Sequence, residues 1–147
     1  MIKLHRFLVL SLAVAFIFSS CKKKDSNNNN NCSLTEANFL GNYKVESVTY
    51  KLSASSPDID GTSLVFNACE LDDITTFNSN HTYTYSDAGT QCTPVGDDNG
   101  TWSLSGSNLT FDGVQQKIDT FDCTGFIISE TDFDTPGYKV TIKFKKQ

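Results

Sequence analysis

From residue 42 onward this chain runs in short stretches of strand-forming residues, broken by turn residues about every 8–12 positions. The last stretch is the clearest. Tyr138, Val140, Ile142 and Phe144 fall on one side, and Lys139, Thr141, Lys143 and Lys145 on the other. Successive side chains of a strand point to opposite faces, so such a stretch has one apolar and one wet surface. Trp102 and Leu104 repeat the pattern over 101–105, and Leu109 and Phe111 repeat it over 108–112, with Ser105-Gly106-Ser107 as the hairpin turn between them. Further strands are expected at 42–51, 71–78, 82–88, 115–121 and 125–130, which makes eight. Nothing between them is long enough for a helical crossover, so neighbours are antiparallel and the simplest arrangement is a meander. Eight strands in one small sheet tend to close into a barrel, because closure removes the exposed edges. A two-sheet sandwich is compatible with the same alternation.

Local signals refine this outline. Tyr43 and Val45 share one face of the first strand, whereas Val48 and Tyr50 share the other. The change of phase near Ser47 is the mark of a bulge or a sharp bend. Ser33-Leu-Thr-Glu36 has the form of a capping box opening a short helix at 34–40, with Gly41 as its C-cap. Residues 53–63 read as a loop, and 64–70 fit a helix or a strand equally well. Asn80 supplies the left-handed conformation that a turn at 79–81 needs. Asp97-Asp98-Asn99-Gly100 reads as a turn, without the ligand spacing of a calcium loop. Pro136-Gly137 signals a type II turn.

The N-terminus has a separate character. Lys3 and Arg6 precede an apolar segment from Phe7 to Phe18, and Ser19-Ser20-Cys21 follows. A basic head, a short apolar run and small residues before a cut are the features of a secretory signal. With cysteine next, the segment resembles the bacterial lipobox. The resemblance implies removal of residues 1–20, a diacylglyceride on the Cys21 thiol, and a further palmitate-type chain on the new amine. An ordinary signal peptide or a membrane anchor is the alternative, although a span needs about 20 apolar residues. Aspartate does not directly follow Cys21, which by resemblance to the usual sorting rule points to the outer membrane of the cell envelope. Residues 21–32, with Asn27 to Asn31, form a polar tether, and 33–147 is the expected β-domain.

Five cysteines divide as Cys21 plus Cys32, Cys69, Cys92 and Cys123. An even number in an exported protein suggests two disulfides. If Asn78 faces Tyr83, the same ladder carried outward sets Cys69 opposite Cys92, within disulfide reach. That leaves Cys32 for Cys123, a bridge from the N-terminal segment to a late turn. With no CxxC spacing and His81 the one histidine beyond the signal, neither a metal site nor another cofactor is expected.

Beyond residue 20 the chain has 10 lysines, no arginine and 17 acids, a formal charge of −7; from residue 32 it has 7 lysines and 16 acids, or −9. A nucleic-acid partner calls for the opposite sign, so nucleic acid is excluded. No catalytic residues are assigned. His81 lacks a second histidine or an arginine to work with, and the neighbours in Asp72-Asp73 and Asp97-Asp98 would point to opposite faces of a strand.

Leu40-Gly41-Asn42-Tyr43-Lys44-Val45, Asp72-Asp73 with Thr76-Phe77, Thr82-Tyr83, Gly100-Thr101-Trp102 and Leu109-Thr110-Phe111 follow one another in an order that resembles the lipocalin-like domain of small Gram-negative lipoproteins. The Gly-x-Trp that classical lipocalins carry on the first strand sits here at Gly100-Thr101-Trp102, and the first strand reads Gly41-Asn42-Tyr43. The resemblance implies a barrel with a cavity. The inward set is expected to include Tyr43, Phe77, Tyr83, Tyr85, Trp102, Phe111, Phe126, Tyr138 and Phe144. Of these, Tyr43, Tyr83, Tyr85, Trp102 and Tyr138 combine an aromatic face with a polar atom and are the candidate ligand contacts. The expected function is non-enzymatic: a monomeric, membrane-anchored barrel that binds a small apolar ligand. The alternative is a filled barrel acting through its loops at 53–63 and 89–99. An apolar chamber of about 300 Å³ or more separates the first from the second.

Overall fold

The computed structural model describes residues 32–132 and 134–147. The signal segment, Cys21 and the tether up to residue 31 lie outside the described residues. The strands are β1 Gly41–Lys51, β2 Ile59–Asp60, β3 Ile74–Phe77, β4 Thr82–Ser86, β5 Asp98–Ser105, β6 Asn108–Phe111, β7 Val114–Phe121, β8 Gly125–Thr131 and β9 Lys139–Lys146. From β3 to β9 each pairs antiparallel with the next, and β1 pairs with β3 through residues 41–43 and with β9 from Tyr43 to Lys51. The sheet therefore closes on itself as a barrel, and the eight expected strands form the ring. A ninth, the two-residue β2, lies beside β1 at Thr49 and Tyr50, within the stretch that reads as loop.

The phase change in β1 is resolved by a bulge. The β1–β9 register slips between Val45 and Ser47, which returns Val48 to the inside along with Tyr43. The residues of the barrel sort into two ends. The β3–β4, β5–β6 and β7–β8 turns lie at one end with both termini of the β-domain. The long connections at 52–73, 87–97 and 132–138 lie at the other with the Asp112-Gly113 turn.

A four-residue helix, α1 (Glu36–Phe39), plugs the first end. Its cap is Thr35, whose hydroxyl accepts from the Asn38 amide at 3.3 Å. The expected Ser33–Glu36 box and the start at residue 34 are thus corrected, and Gly41 opens β1 with φ 132° instead of capping the helix. The side chain of Phe39 is fully buried. Three ties fix the plug: Tyr43 Oη donates to the Phe39 carbonyl (2.7 Å), Lys146 Nζ donates to the Asn38 carbonyl (2.6 Å), and Cys32 is bonded to Cys123 in the β7–β8 turn (Cα–Cα 5.8 Å).

At the other end Cys69 is bonded to Cys92 (Cα–Cα 5.4 Å), which joins the two longest connections. The pair is the expected one, but its route is different. Phe77, not Asn78, faces Tyr83, and Cys69 sits in a 3₁₀ turn (Ala68–Glu70) outside the ladder. The register follows from a three-residue loop at 79–81 whose left-handed residue is His81 (φ 62°), not Asn80. Asn80 Oδ1 instead accepts from the Thr82 amide and hydroxyl. Residues 62–65 form a second short helix, α2.

Two further boundaries depart from the pattern. Asp98-Asn99-Gly100 belongs to β5, because Tyr85, Thr84 and Tyr83 of β4 offer it a ladder and pairing outweighs turn propensity. Tyr138 lies in the type II turn made by Pro136 and Gly137 (φ 87°), where its amide donates to the Thr135 carbonyl at 3.0 Å, and β9 begins one residue later.

Candidate functional site

The plug divides the barrel interior into a solid half and a hollow half. In the solid half the Phe39 ring lies 4.9 to 6.1 Å, centroid to centroid, from Tyr43, Phe77, Trp102, Phe121 and Phe126. Phe77 and Phe126 then present their remaining surface to the hollow half, so the plug supports the floor of what lies beyond it.

That space is a cavity of about 390 Å³. Its walls are Phe77 and Thr75 from β3, Leu109 and Phe111 from β6, Val114 and Gln116 from β7, Phe126 and Ile128 from β8, and Phe144 from β9, with Asp112 at the lip. Each wall follows from strand alternation. Phe126 and Phe144 sit directly opposite in the β8–β9 ladder, and their rings stack at 4.5 Å. Phe111 stacks at 3.9 Å on Tyr83, which stands behind it. A second chamber of about 250 Å³ lies alongside, lined by Tyr50, Val65, Ser129, Glu130, Val140 and Ile142. Gln116 and Ile128 line both. Gly61 permits this second wall: a Cβ there would come within 2.1 Å of the Tyr50 ring. Thr62 Oγ1, accepting from the Val48 amide at 3.0 Å, fixes α2 against β1 so that Val65 reaches the chamber.

The five candidate ligand contacts lie outside both linings, and the side-chain polar atoms of four of them are engaged within the protein. Tyr43 is part of the plug. Trp102 Nε1 donates to the Asn78 carbonyl (3.0 Å). Tyr83 Oη donates to Asp112 Oδ2 (2.5 Å), and Tyr85 Oη donates to the buried carboxylate of Asp73, which also accepts from the Ala88 amide. Tyr138 sits in its turn. Burial is the first cause pushing the Tyr43, Tyr83 and Tyr85 phenols well above the usual tyrosine range; Asp112 adds to it for Tyr83 and Asp73 for Tyr85. The same Tyr83 bond, with one from the Thr101 amide (2.8 Å), holds the Asp112 carboxyl below the usual carboxylate range.

The residues that do line the cavity are the phenylalanines of the inward set, together with Ile128 and Gln116. Alternation marks the phenylalanines as inward. What separates them from the tyrosines is the hydroxyl, which Tyr43, Tyr83 and Tyr85 each donate to a partner within the protein. His81 lies at the plug end with Nε2 3.3 Å from Glu36 Oε1, away from either chamber. Among the described residues, no group of three or more His, Cys, Asp or Glu side chains is placed to hold a metal ion.

A family model described as a lipocalin-like domain matches residues 39–125. Neither a curated protein nor a solved structure matches the chain.

Proposed function

The chain belongs to the lipocalin-like domain family, and from that premise we propose that it is a non-enzymatic binding protein whose half-hollow barrel holds a small apolar ligand, tethered to the outer membrane through a lipidated Cys21. The observation that carries this reading is the phenylalanine-walled cavity. At about 390 Å³ it exceeds the roughly 300 Å³ at which a pocket accommodates a small molecule. A filled barrel working through its loops fits less well, because only the plug half is solid. The walls are mostly apolar side chains, so the body of the ligand is held by shape and apolar contact.

The anchor enters the same picture. The Cys32–Cys123 bond fixes the start of the β-domain at the plugged end. A lipid eleven residues upstream of Cys32 would therefore be attached at the end opposite the mouth. Native mass spectrometry of the full chain purified from its own host tests the reading. The expected spectrum contains a chain-plus-small-molecule species that is lost in an Ile128→Trp variant, which fills the wall shared by both chambers. A spectrum of unliganded chain alone, from several growth conditions, contradicts it.

A further inference from the structure

The chambers are apolar but not electrically neutral at their edges. The polar side chains lining the first are Thr75, Asp112 and Gln116, and those lining the second are Tyr50, Gln116, Ser129 and Glu130. Each chamber thus has one carboxylate, and neither has a lysine or arginine in its lining. Asp112 is positioned in advance: Tyr83 Oη and the Thr101 amide each occupy one of its oxygens. A carboxylate has about four acceptor sites, so capacity remains on the side facing the chamber. Gly100 makes this placement possible, because a Cβ there would lie 2.1 Å from Asp112 Oδ1.

The surroundings carry the same sign. The connections at the mouth with the strand ends that adjoin them (51–73, 87–98, Asp112 and 130–139) hold twelve acids and two lysines, whereas the rest of the described chain holds four acids and five lysines. One of the two mouth lysines, Lys51, lies 3.5 Å from Asp58. An excess of one sign at this end of the barrel concentrates counter-charge there. A fatty acid or other anionic amphiphile would bring its charge beside a carboxylate of like sign, with no cation in either lining to pair with.

We propose that the ligand class is an apolar amine, with its hydrocarbon or aromatic body among the phenylalanines and its ammonium at the Asp112 lip. This rests on the ligand-binding reading above and narrows it. Recognition needs no bond made or broken. The ammonium donates to the free lone pairs of Asp112, and Glu130 in the lining of the second chamber adds to the negative charge at this end.

Three probes of one shape test it by isothermal titration into the full chain at pH 7: 2-naphthylmethylamine (a cation), 2-naphthalenemethanol (neutral) and 2-naphthoate (an anion). The amine should bind about three- to tenfold tighter than the alcohol, as expected for a partly exposed charge pair, and naphthoate at least about tenfold weaker than the alcohol. In Asp112→Asn the advantage of the amine over the alcohol should fall at least about threefold, and Glu130→Gln should lower it further. Naphthoate binding as well as the amine overturns the proposal, as does an amine advantage that survives both substitutions. If the alcohol fails to bind along with the other two, the ligand-binding reading itself falls.

Discussion

Replacing Phe39 by alanine tests whether a four-residue helix anchors the whole barrel. Phe39 has no exposed surface and touches five aromatic rings from β1, β3, β5, β7 and β8. An aromatic side chain buries roughly 200 Å², which at about 25 cal/mol per Å² is an upper bound near 5 kcal/mol. Truncating buried phenylalanines costs about 3–5 kcal/mol once the cavity left behind is included. The plug cannot collapse to fill the gap, because the Cys32–Cys123 bond and the Lys146–Asn38 hydrogen bond hold its backbone in place. We expect Phe39→Ala to lower unfolding free energy by about 4 kcal/mol and Phe39→Leu by about 1.5 kcal/mol. Urea titration followed by Trp102 fluorescence reads both, since that indole is 5.6 Å from the Phe39 ring. A loss below about 1 kcal/mol in the alanine variant, with unchanged denaturant slope, would mean that α1 is an ornament on an independently stable barrel.

Replacing both members of the Cys32–Cys123 pair by serine should cost about 4.5 kcal/mol, and of the Cys69–Cys92 pair about 3.5 kcal/mol, from loop lengths of 91 and 23 residues in the chain-entropy model; equal losses by thermal denaturation would contradict that ordering. Stability should be full below about pH 10 and fall as pH rises beyond it, because unfolded tyrosines ionise there while the folded Tyr43, Tyr83 and Tyr85 phenols are held neutral. Each contributes up to about 1.4 kcal/mol per pH unit, whereas Lys146, lowered by burial, gives a slope of opposite sign that ends near its ordinary value of 10.5. Urea midpoints from pH 8 to 12 check the sign, and Tyr43→Phe should flatten the slope. Cys21→Ser should move the protein from the membrane to the soluble fraction on cell fractionation; unchanged sedimentation would count against the anchor.

Alternation made the barrel legible. Tyr138 to Lys145, Trp102 to Ser105 and Leu109 to Phe111 show one apolar face each, and the phase change at Ser47 locates the bulge that closes β1 onto β9. Turn chemistry was less readable where a partner strand competed for the same residues, as at Asp98-Asn99-Gly100, or where a histidine took the left-handed position beside an asparagine. The site was legible as a face but not as a place. Hydroxyl-bearing rings look like ligand contacts in the sequence, yet Tyr43, Tyr83 and Tyr85 serve a carbonyl and two carboxylates 4 to 29 residues away. The plain phenylalanines, with no polar atom to satisfy, are left to face the empty space. Which hydroxyls find a partner depends on residues that only the fold brings together, such as Tyr83 and Asp112, 29 positions apart.

The central claim is that the barrel is hollow between Phe111 and Phe144 and open at the end opposite the plug. A crystal structure of the chain grown with 2-naphthalenemethanol tests it most directly. The account predicts a ring lying against Phe126 and Phe144 with its hydroxyl toward Asp112. The same crystal with side chains closed across that space, and the compound absent or bound only on the outer surface, would contradict it.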